Sequence, residues 1–255
     1  MVTSLTVAFI ALACIFGGSL LGMGLRALLP RHHVSDESKD AVKLGTGLIA
    51  TLTALVLGLL ISSAKGTFDT MTVELRQGGA KIMLLDRTMA QYGPETREAR
   101  DALRTIVVSA LQRIWPEETN TIAVAQFSRS INHIEALQEM IHQLSPQNDA
   151  QRWLRSRALQ LTADVSETRA LLLEQAGQKS LPTVFLGILI FWIIIIFISF
   201  GMFSTPNATV IMVFFICALS VAGALYLILE LDQPYQGLIR ISSAPLRNAL
   251  VHMGQ

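Results

Sequence analysis

Few residues in this sequence have the types and the spacing that chemistry requires. The clearest pattern is one ExxH motif, Glu139 to His142, with Glu135 one helical turn before it. A di-iron helical bundle needs two such motifs and two further glutamates, and this sequence supplies only one motif. We therefore interpret these side chains as a solvated helix face and expect no metal site.

The other reactive side chains also lack a catalytic pattern. The sequence contains no P-loop, dinucleotide-binding, zinc-protease or nucleophile-elbow motif. His32 and His33 are adjacent, so their side chains diverge, and they are more typical of an interface than of a metal pair. Cys14 and Cys217 are the only cysteines and both lie in apolar stretches, where a thiol packs like a small hydrophobic group. We expect no catalytic residues, no cofactor and no enzymatic activity.

Two carboxylates follow the last apolar stretch of the chain. Glu230 and Asp232 stand where a membrane-spanning helix would reach the lipid headgroups. Charged groups there are costly unless they are paired, hydrated or bound to an ion. The sequence predicts a cation site or a salt bridge with a basic group such as Arg240 or Arg247, and a simple hydrated helix end is the alternative.

Four long apolar stretches are the elements that must position these side chains. Of the 255 residues, 51% are hydrophobic and 15% are charged, and 20 Lys+Arg almost balance 19 Asp+Glu. This composition excludes a disordered protein, and the missing basic surplus argues against a nucleic-acid partner. A bilayer core about 30 Å thick needs roughly 20 apolar residues in a helix. The stretches that satisfy this length, and predict the lipid bilayer as a partner, are Leu5–Leu25, Leu44–Ala64, Leu181–Phe203 and Val210–Leu229.

The polar block between the second and third stretches is predicted to be a helical bundle. Its apolar residues recur at helical spacing, and breaks fall at Gly93-Pro94, Trp115-Pro116 and Ser145-Pro146. The predicted fold class is all-α, with four transmembrane helices and a cytosolic helical bundle inserted between the second and third spans. Its segments are 1–64 for the first two spans, 65–180 for the insert, 181–232 for the last two spans and 233–255 for a cytosolic C-terminal tail.

Three helix faces are candidates for contacts between subunits. A 3-4 repeat follows the second span and indicates that its helix continues out of the bilayer, through Phe68, Met71, Leu75, Gly78, Ile82, Leu85 and Met89. Gly18 and Gly22 form a GxxxG pattern in the first span. A further stripe of small residues marks the second span at Gly47, Thr51, Ala54, Gly58 and Ser62. Each pattern also fits packing within one chain, and the sequence leaves both interpretations open.

The distribution of basic residues predicts the orientation. With four spans, both termini and the insert share one side of the membrane. Basic residues near the membrane on that side are Lys65, Arg76, Lys81, Arg169, Lys179, Arg240 and Arg247, against Arg31, Lys39 and Lys43 in the short loop opposite. The positive-inside rule therefore places the insert and both termini in the cytoplasm, and we expect a bacterial inner membrane.

The tail and the span layout resemble the bestrophin-like domain family. The most specific part of the resemblance is an acidic-x-acidic-x-Pro-aromatic-x-Gly pattern, formed here by Glu230, Asp232, Pro234, Tyr235 and Gly237. Glu74 also looks like a family position, and Tyr235 stands where Phe is expected. The resemblance implies similarity to bestrophins, which are oligomeric anion channels with four spans per subunit and a pore lined by the second span. The calcium clasp of animal bestrophins has a longer acidic run than this tail, and residues 44–64 lack the aromatic pore constriction.

Two functions of different class follow. The first is a homo-oligomeric ion channel, anion-conducting by the resemblance, with inorganic ions as partners and a pore along the second span. Its predicted lining residues, with an apolar inner neck, are Thr46, Thr53, Leu57, Leu60 and Ile61. Arg26 is predicted at the outer mouth. The second function is a non-conducting membrane scaffold or sensor whose helical insert binds a cytosolic partner.

Overall fold

The computed structural model describes residues 4–28, 36–115, 133–177, 183–235 and 237–253, and in these ranges the chain is helical and has no β-strand. A short 3-10 turn, Pro94–Thr96, joins the second and third α-helices. The α-helices are α1 (Ser4–Leu28), α2 (Asp36–Tyr92), α3 (Arg97–Ile114), α4 (His133–His142), α5 (Asp149–Gly177), α6 (Thr183–Phe203), α7 (Ala208–Leu231) and α8 (Ala244–His252). The all-α fold class is confirmed.

Four of the described helices are long and apolar enough to cross a bilayer. The segments that meet this criterion are Ser4–Arg26, Asp40–Tyr92, Val184–Phe203 and Ala208–Leu231. They lie in α1, α2, α6 and α7, so the four apolar stretches predicted from the sequence are helical and long enough to span a bilayer. A short turn, residues 204–207, separates α6 from α7, and Asn207 caps α7 by accepting the backbone N–H of Thr209.

The second span continues without a break into the insert. α2 is one helix of 57 residues, so the continuation that the 3-4 repeat predicts is confirmed. The helix ends at Tyr92 because Gly93 follows in a left-handed conformation, with φ of 139°, and Pro94 cannot extend an α-helix.

The chain divides into two compact units. The membrane unit consists of residues 1–68 and 179–239, and the insert unit consists of residues 69–178 and 240–255. One boundary between them falls within the segment 233–255, whose assignment as a cytosolic tail stays a prediction. Residues 233–239 belong to the membrane unit, and α8 belongs to the insert unit.

In the membrane unit, the GxxxG face of α1 packs against α6 of the same chain. A Cβ atom on Gly22 would overlap the carbonyl oxygen of Ile198 and would lie 2.9 Å from the backbone nitrogen of Met202. A Cβ atom on Gly201 would similarly overlap the carbonyl oxygen of Ser19. The two backbones therefore approach each other through glycine, and the structure favours packing within one chain for this motif.

The core of the membrane unit lies between α1, α6 and α7. The ring centroids of Phe16 in α1 and Phe215 in α7 are 5.4 Å apart in an edge-to-face arrangement. The span of α2 covers this core through partly buried side chains. The fully buried members of the core include Ile15, Leu189, Ile193, Ala218 and Leu225.

In the insert unit, the 3-4 repeat of α2 is buried within the chain. A Cβ atom on Gly78 would lie 3.2 Å from the Cγ2 atom of Thr168 in α5, and one on Gly79 would lie 2.9 Å from the carbonyl oxygen of Pro245 in α8. The buried members of the repeat include Met71, Leu75, Ile82, Leu85 and Met89. The repeat therefore packs on helices of its own chain.

A half-buried ion pair joins α2 to α3 in the same unit. The Nε and Nη2 atoms of Arg100 donate to the two carboxylate oxygens of Asp86 over 2.8 and 2.9 Å. Asp86 is buried, and its hydrogen bonds raise the pKa of Arg100 above the ordinary value. At the turn between α2 and α3, the hydroxyl of Thr96 donates to the carbonyl oxygen of Met89 over 2.6 Å, which fixes the turn.

Candidate functional site

The span of α2 is the apolar helix with the least contact to the rest of its chain. Only 11% of its most apolar window is buried, against 33%, 28% and 22% for the corresponding windows of α1, α6 and α7. Many of its apolar side chains are accordingly exposed. They include Leu44, Leu48, Leu55 and Leu59.

Four of the five predicted lining residues lie on the inner side of this span. Thr46 and Thr53 are each only 7% exposed, and the hydroxyl of Thr53 donates to the carbonyl oxygen of Ile49 over 2.7 Å. Leu57 and Leu60 pack against the buried core of the membrane unit. Ile61, at 40% exposure, is the one that lies open.

The small-residue stripe lies on the exposed side of the same span. A Cβ atom added to Gly47 or Gly58 would meet no other atom within 4 Å. The hydroxyl of Thr51 donates to the carbonyl oxygen of Gly47 over 2.9 Å, so its own polar group is satisfied within the helix. The exposed stripe, defined by Gly47, Thr51, Ala54, Gly58 and Ser62, is thus a bare surface of backbone and small side chains.

Among the described residues of the membrane unit, Glu230 carries the most deeply buried charge. Glu230 is 5% exposed, and its Oε2 atom accepts the backbone N–H of Leu238 over 2.7 Å. Tyr226, one turn earlier in α7, also forms a side-chain hydrogen bond with this carboxylate. Both donors are neutral, so the carboxylate is held by hydrogen bonds from the residues around it and anchors the segment that follows α7.

Glycine is required at position 237 for two reasons. Its φ of 91° lies in the left-handed region, which other residues rarely adopt. A Cβ atom there would also overlap the Oε2 atom of Glu230 and would lie 2.9 Å from its Cδ atom. The acidic and glycine positions of the tail pattern are therefore two sides of one contact.

The remaining members of the tail pattern surround this contact. Asp232 caps the C-terminus of α7, and its backbone N–H donates to the carbonyl oxygen of Ile228 over 3.1 Å. Pro234 is buried and Tyr235 is half-buried. A cation site or a salt bridge at Glu230 and Asp232 stays a prediction.

Arg26 reaches the turn between α6 and α7. Its Nη1 atom donates to the carbonyl oxygen of Ser204 over 2.5 Å. Ser204 directly follows the last residue of α6, so its carbonyl oxygen has no partner within the helix. The guanidinium group thus joins the end of α1 to the turn, and its place at an outer mouth stays a prediction.

The other candidates from the sequence are placed as follows. The side-chain Nε2 atom of Gln143 donates to Glu139 over 2.8 Å on the exposed surface of α4. The described residues contain no group of three or more His, Cys, Asp or Glu side chains that could hold a metal ion. Glu74 is half-buried, and its Oε2 atom is buried without a hydrogen bond from the described part of the chain. His32 and His33 lie outside the described residues.

Two partners at the site were missed by reasoning from the sequence. Tyr226 stands four residues before Glu230, and that helical spacing could have revealed it. The donor from Leu238 is a backbone N–H, and since almost every residue has one, the residue type could not have indicated it.

The arrangement defines a class of protein: an integral membrane protein with four apolar helices and a helical unit formed largely by the segment between the second and third of them. The sequence model of the bestrophin-like domain matches residues 13–246. The chain therefore belongs to the bestrophin-like family. Comparisons with curated proteins and with solved structures found no match.

Proposed function

We propose that the protein is a subunit of a homo-oligomeric ion channel whose pore is formed by the second span. Membership of the bestrophin-like family supports a relation to anion channels, and the proposed permeant ions are inorganic anions. The proposal contains no enzymatic step and no cofactor. It places the protein in a bacterial inner membrane, with the insert and both termini in the cytoplasm.

The observation that carries the proposal is the exposed stripe of α2. A pore on a symmetry axis is lined by residues that are exposed in one subunit and that face the axis when the ring closes. Gly47, Thr51 and Gly58 have this exposure, whereas Thr46 and Thr53 are packed within the chain. We therefore assign the lining to the exposed stripe and keep Ile61 as the apolar neck residue.

The bordering leucines support the same geometry. Leu48 and Leu55 are exposed beside the stripe and would pack against a neighbouring subunit or face lipid. Small residues between such side chains leave room for a narrow passage, and an apolar neck would close it by excluding water.

The test uses two threonines that are two residues apart in the same span. In a background with Cys14→Ala and Cys217→Ala, we would prepare Thr51→Cys and Thr53→Cys and reconstitute each in liposomes with chloride or potassium gradients. A negatively charged thiol reagent should block chloride flux through Thr51→Cys. It should leave Thr53→Cys unchanged, because that side chain is packed within the chain.

Four results would contradict the proposal. The first is a chloride flux through Thr51→Cys that stays the same after the cysteine has been labelled. The second is a block of chloride flux at Thr53→Cys alone. The third is a folded protein that carries neither chloride nor potassium, which would favour the scaffold or sensor function. The fourth is a mass of one subunit from light scattering, which would show that the protein is a monomer and has no pore on a symmetry axis.

A further inference from the structure

Within the insert unit, α2 has an exposed face on the side opposite to its buried 3-4 repeat. Val73 is 49% exposed and Leu84 is 50% exposed. Exposed residues recur around them at helical spacing, so they share one side of the helix. We call this set the α2 outer face, and it consists of Val73, Gln77, Ala80, Leu84 and Gln91.

The fifth helix has a second exposed face of the same kind. Trp153 is 65% exposed and Leu171 is 42% exposed. The opposite side of α5 is buried at Ala158, Leu161 and Val165. We call the exposed set the α5 outer face, and it consists of Trp153, Gln160, Ala163, Glu167 and Leu171.

The two helices pack against each other in antiparallel directions. A Cβ atom on Gly78 would lie 3.2 Å from the Cγ2 atom of Thr168, and the Nζ atom of Lys81 donates to the Oγ1 atom of Thr168 over 3.2 Å. Further along α2, the carbonyl oxygen of Tyr92 accepts the Nε2 group of Gln151 over 3.1 Å. Because the helices meet through their buried sides, their outer faces lie on opposite sides of the pair.

These contacts also fix which residues of the two outer faces stand at the same height along the helix pair. Each residue forward in α2 corresponds to about one residue backward in α5, since both helices rise about 1.5 Å per residue. Within one helical turn, Val73 is level with Leu171, and Gln91 is level with Trp153. The apolar residues at one end of each face therefore match in height.

The two outer faces carry opposite charges. In residues 73–91 the exposed charged side chains are Arg76 and Arg87. The α5 outer face carries Glu167, whereas the exposed Arg169 lies on another side of α5, because residues two apart do not share a helix face. Arg76 and Glu167 are level within one helical turn.

We propose that the α2 outer face of one subunit packs against the α5 outer face of the next subunit in a ring of identical chains. A contact between two different surfaces is heterologous, and it closes into a ring when the rotation between neighbours allows it. Faces on opposite sides of each insert unit suit this arrangement, because each subunit uses one face for each neighbour. Val73 then packs on Leu171, and Arg76 pairs with Glu167. The inference names the contact surface of the homo-oligomer and rests on the proposed function for the existence of that oligomer.

The experiment cross-links paired cysteines in the full-length protein in lipid nanodiscs, in a background with Cys14→Ala and Cys217→Ala. Val73→Cys with Leu171→Cys, and Gln91→Cys with Trp153→Cys, should each give a ladder of multimers with a short bis-maleimide on a denaturing gel. The matched controls exchange the partners, so that Val73→Cys is combined with Trp153→Cys, and Gln91→Cys with Leu171→Cys. The exchanged pairs are separated by about 27 Å in height and should give no ladder.

A charge reversal tests the central pair. In the Val73→Cys and Leu171→Cys protein, Arg76→Glu should slow formation of the ladder roughly two- to fivefold, the range of an exposed ion pair. Glu167→Arg in the same chain should restore the rate. Arg87→Glu is the control and should not slow the reaction, because no acidic residue of the α5 outer face lies at its height.

Four outcomes would overturn the inference. They are equal ladders from matched and exchanged pairs, a dimer from any single-cysteine variant, a cross-link within one chain, and a failure of Glu167→Arg to restore the rate.

Failure of this inference can be distinguished from failure of the channel proposal. An oligomer by light scattering without a ladder from either matched pair would overturn the contact and leave the channel proposal standing. Ladders from both matched pairs without chloride flux would support the contact and contradict the channel. A mass of one subunit would contradict both.

Discussion

Alanine at position 237 should destabilise the segment after α7 through two separable causes. The backbone φ of Gly237 is 91°, and the left-handed region costs a residue with a Cβ atom about 1–2 kcal/mol. The new Cβ atom would also overlap the Oε2 atom of Glu230 and lie 3.0 Å from its Oε1 atom. The carboxylate must therefore move away from its present place.

Moving the carboxylate removes its hydrogen bond from Leu238. A hydrogen bond to a charged group contributes about 1.5–3 kcal/mol. Together with the backbone term, Gly237→Ala should cost about 2.5–5 kcal/mol in the free energy of local opening. The measured cost cannot exceed the free energy needed to open this segment alone. A substitution that costs more would leave the segment locally unfolded, and the rest of the protein would stay folded.

The two causes separate in a double-mutant cycle with Glu230→Ala. In that background the steric obstacle is gone, so Gly237→Ala should cost only the backbone term, about 1–2 kcal/mol. The readout is the rate of trypsin cleavage after Arg240 under conditions where cleavage follows the open population. A difference of 3 kcal/mol corresponds to roughly a hundredfold change in that population.

The control is Leu238→Ala, because this side chain is 83% exposed and its backbone N–H is retained. We expect a change in cleavage close to zero for that variant. Equal effects of Gly237→Ala with and without Glu230 would refute the reasoning, since the carboxylate would then not be what excludes a Cβ atom.

Three further variants test other contacts by thermal unfolding in detergent. Arg100→Met leaves the buried Asp86 unpaired and should cost about 3–5 kcal/mol, more than Asp86→Asn, whose remaining guanidinium is partly hydrated; equal losses would contradict this asymmetry. Gly22→Ala should lower the melting temperature because its Cβ atom overlaps a backbone carbonyl of α6, whereas Gly24→Ala, which meets no atom within 4 Å, should not. Burial raises the pKa of Tyr92 above 10.0. The buried neutral phenol therefore contributes its full stability below pH 10, and this stability is lost as the pH rises through the raised pKa. Tyr92→Phe should flatten this alkaline loss, and an unchanged pH profile would exclude Tyr92 as its source.

The fold could be predicted because its strongest determinants are local in sequence. Each apolar stretch is long and apolar enough to form a helix that could span a membrane, and this property depends on the stretch alone. The continuation of α2 was visible for the same reason, since Met71, Leu75 and Leu85 keep the helical period of the preceding span. The division of the tail between two units was not visible, because it depends on the distant contacts of Trp115 and Pro245.

The partner of each helix face could not be predicted from its pattern. Spacing shows which residues share a face, but the same spacing serves a contact within a chain and a contact between chains. The GxxxG face of α1 and the 3-4 repeat of α2 are both occupied by helices of their own chain. The stripe of α2 that contains Gly47 and Gly58 has equally small residues and is open.

Hydroxyl groups could not separate a packed face from an open one either. Thr53 and Thr51 both donate to the carbonyl oxygen four residues earlier, over 2.7 and 2.9 Å. A threonine satisfied in this way tolerates burial, because its donor needs no water. Polarity in an apolar helix therefore does not by itself indicate a water-filled passage. The two residues differ in burial. Thr53 is packed within the chain, whereas Thr51 is exposed and is covered by nothing in the described part of the chain. An assignment of the pore from this span must accordingly rest on exposure, and the thiol test at these two positions measures that difference.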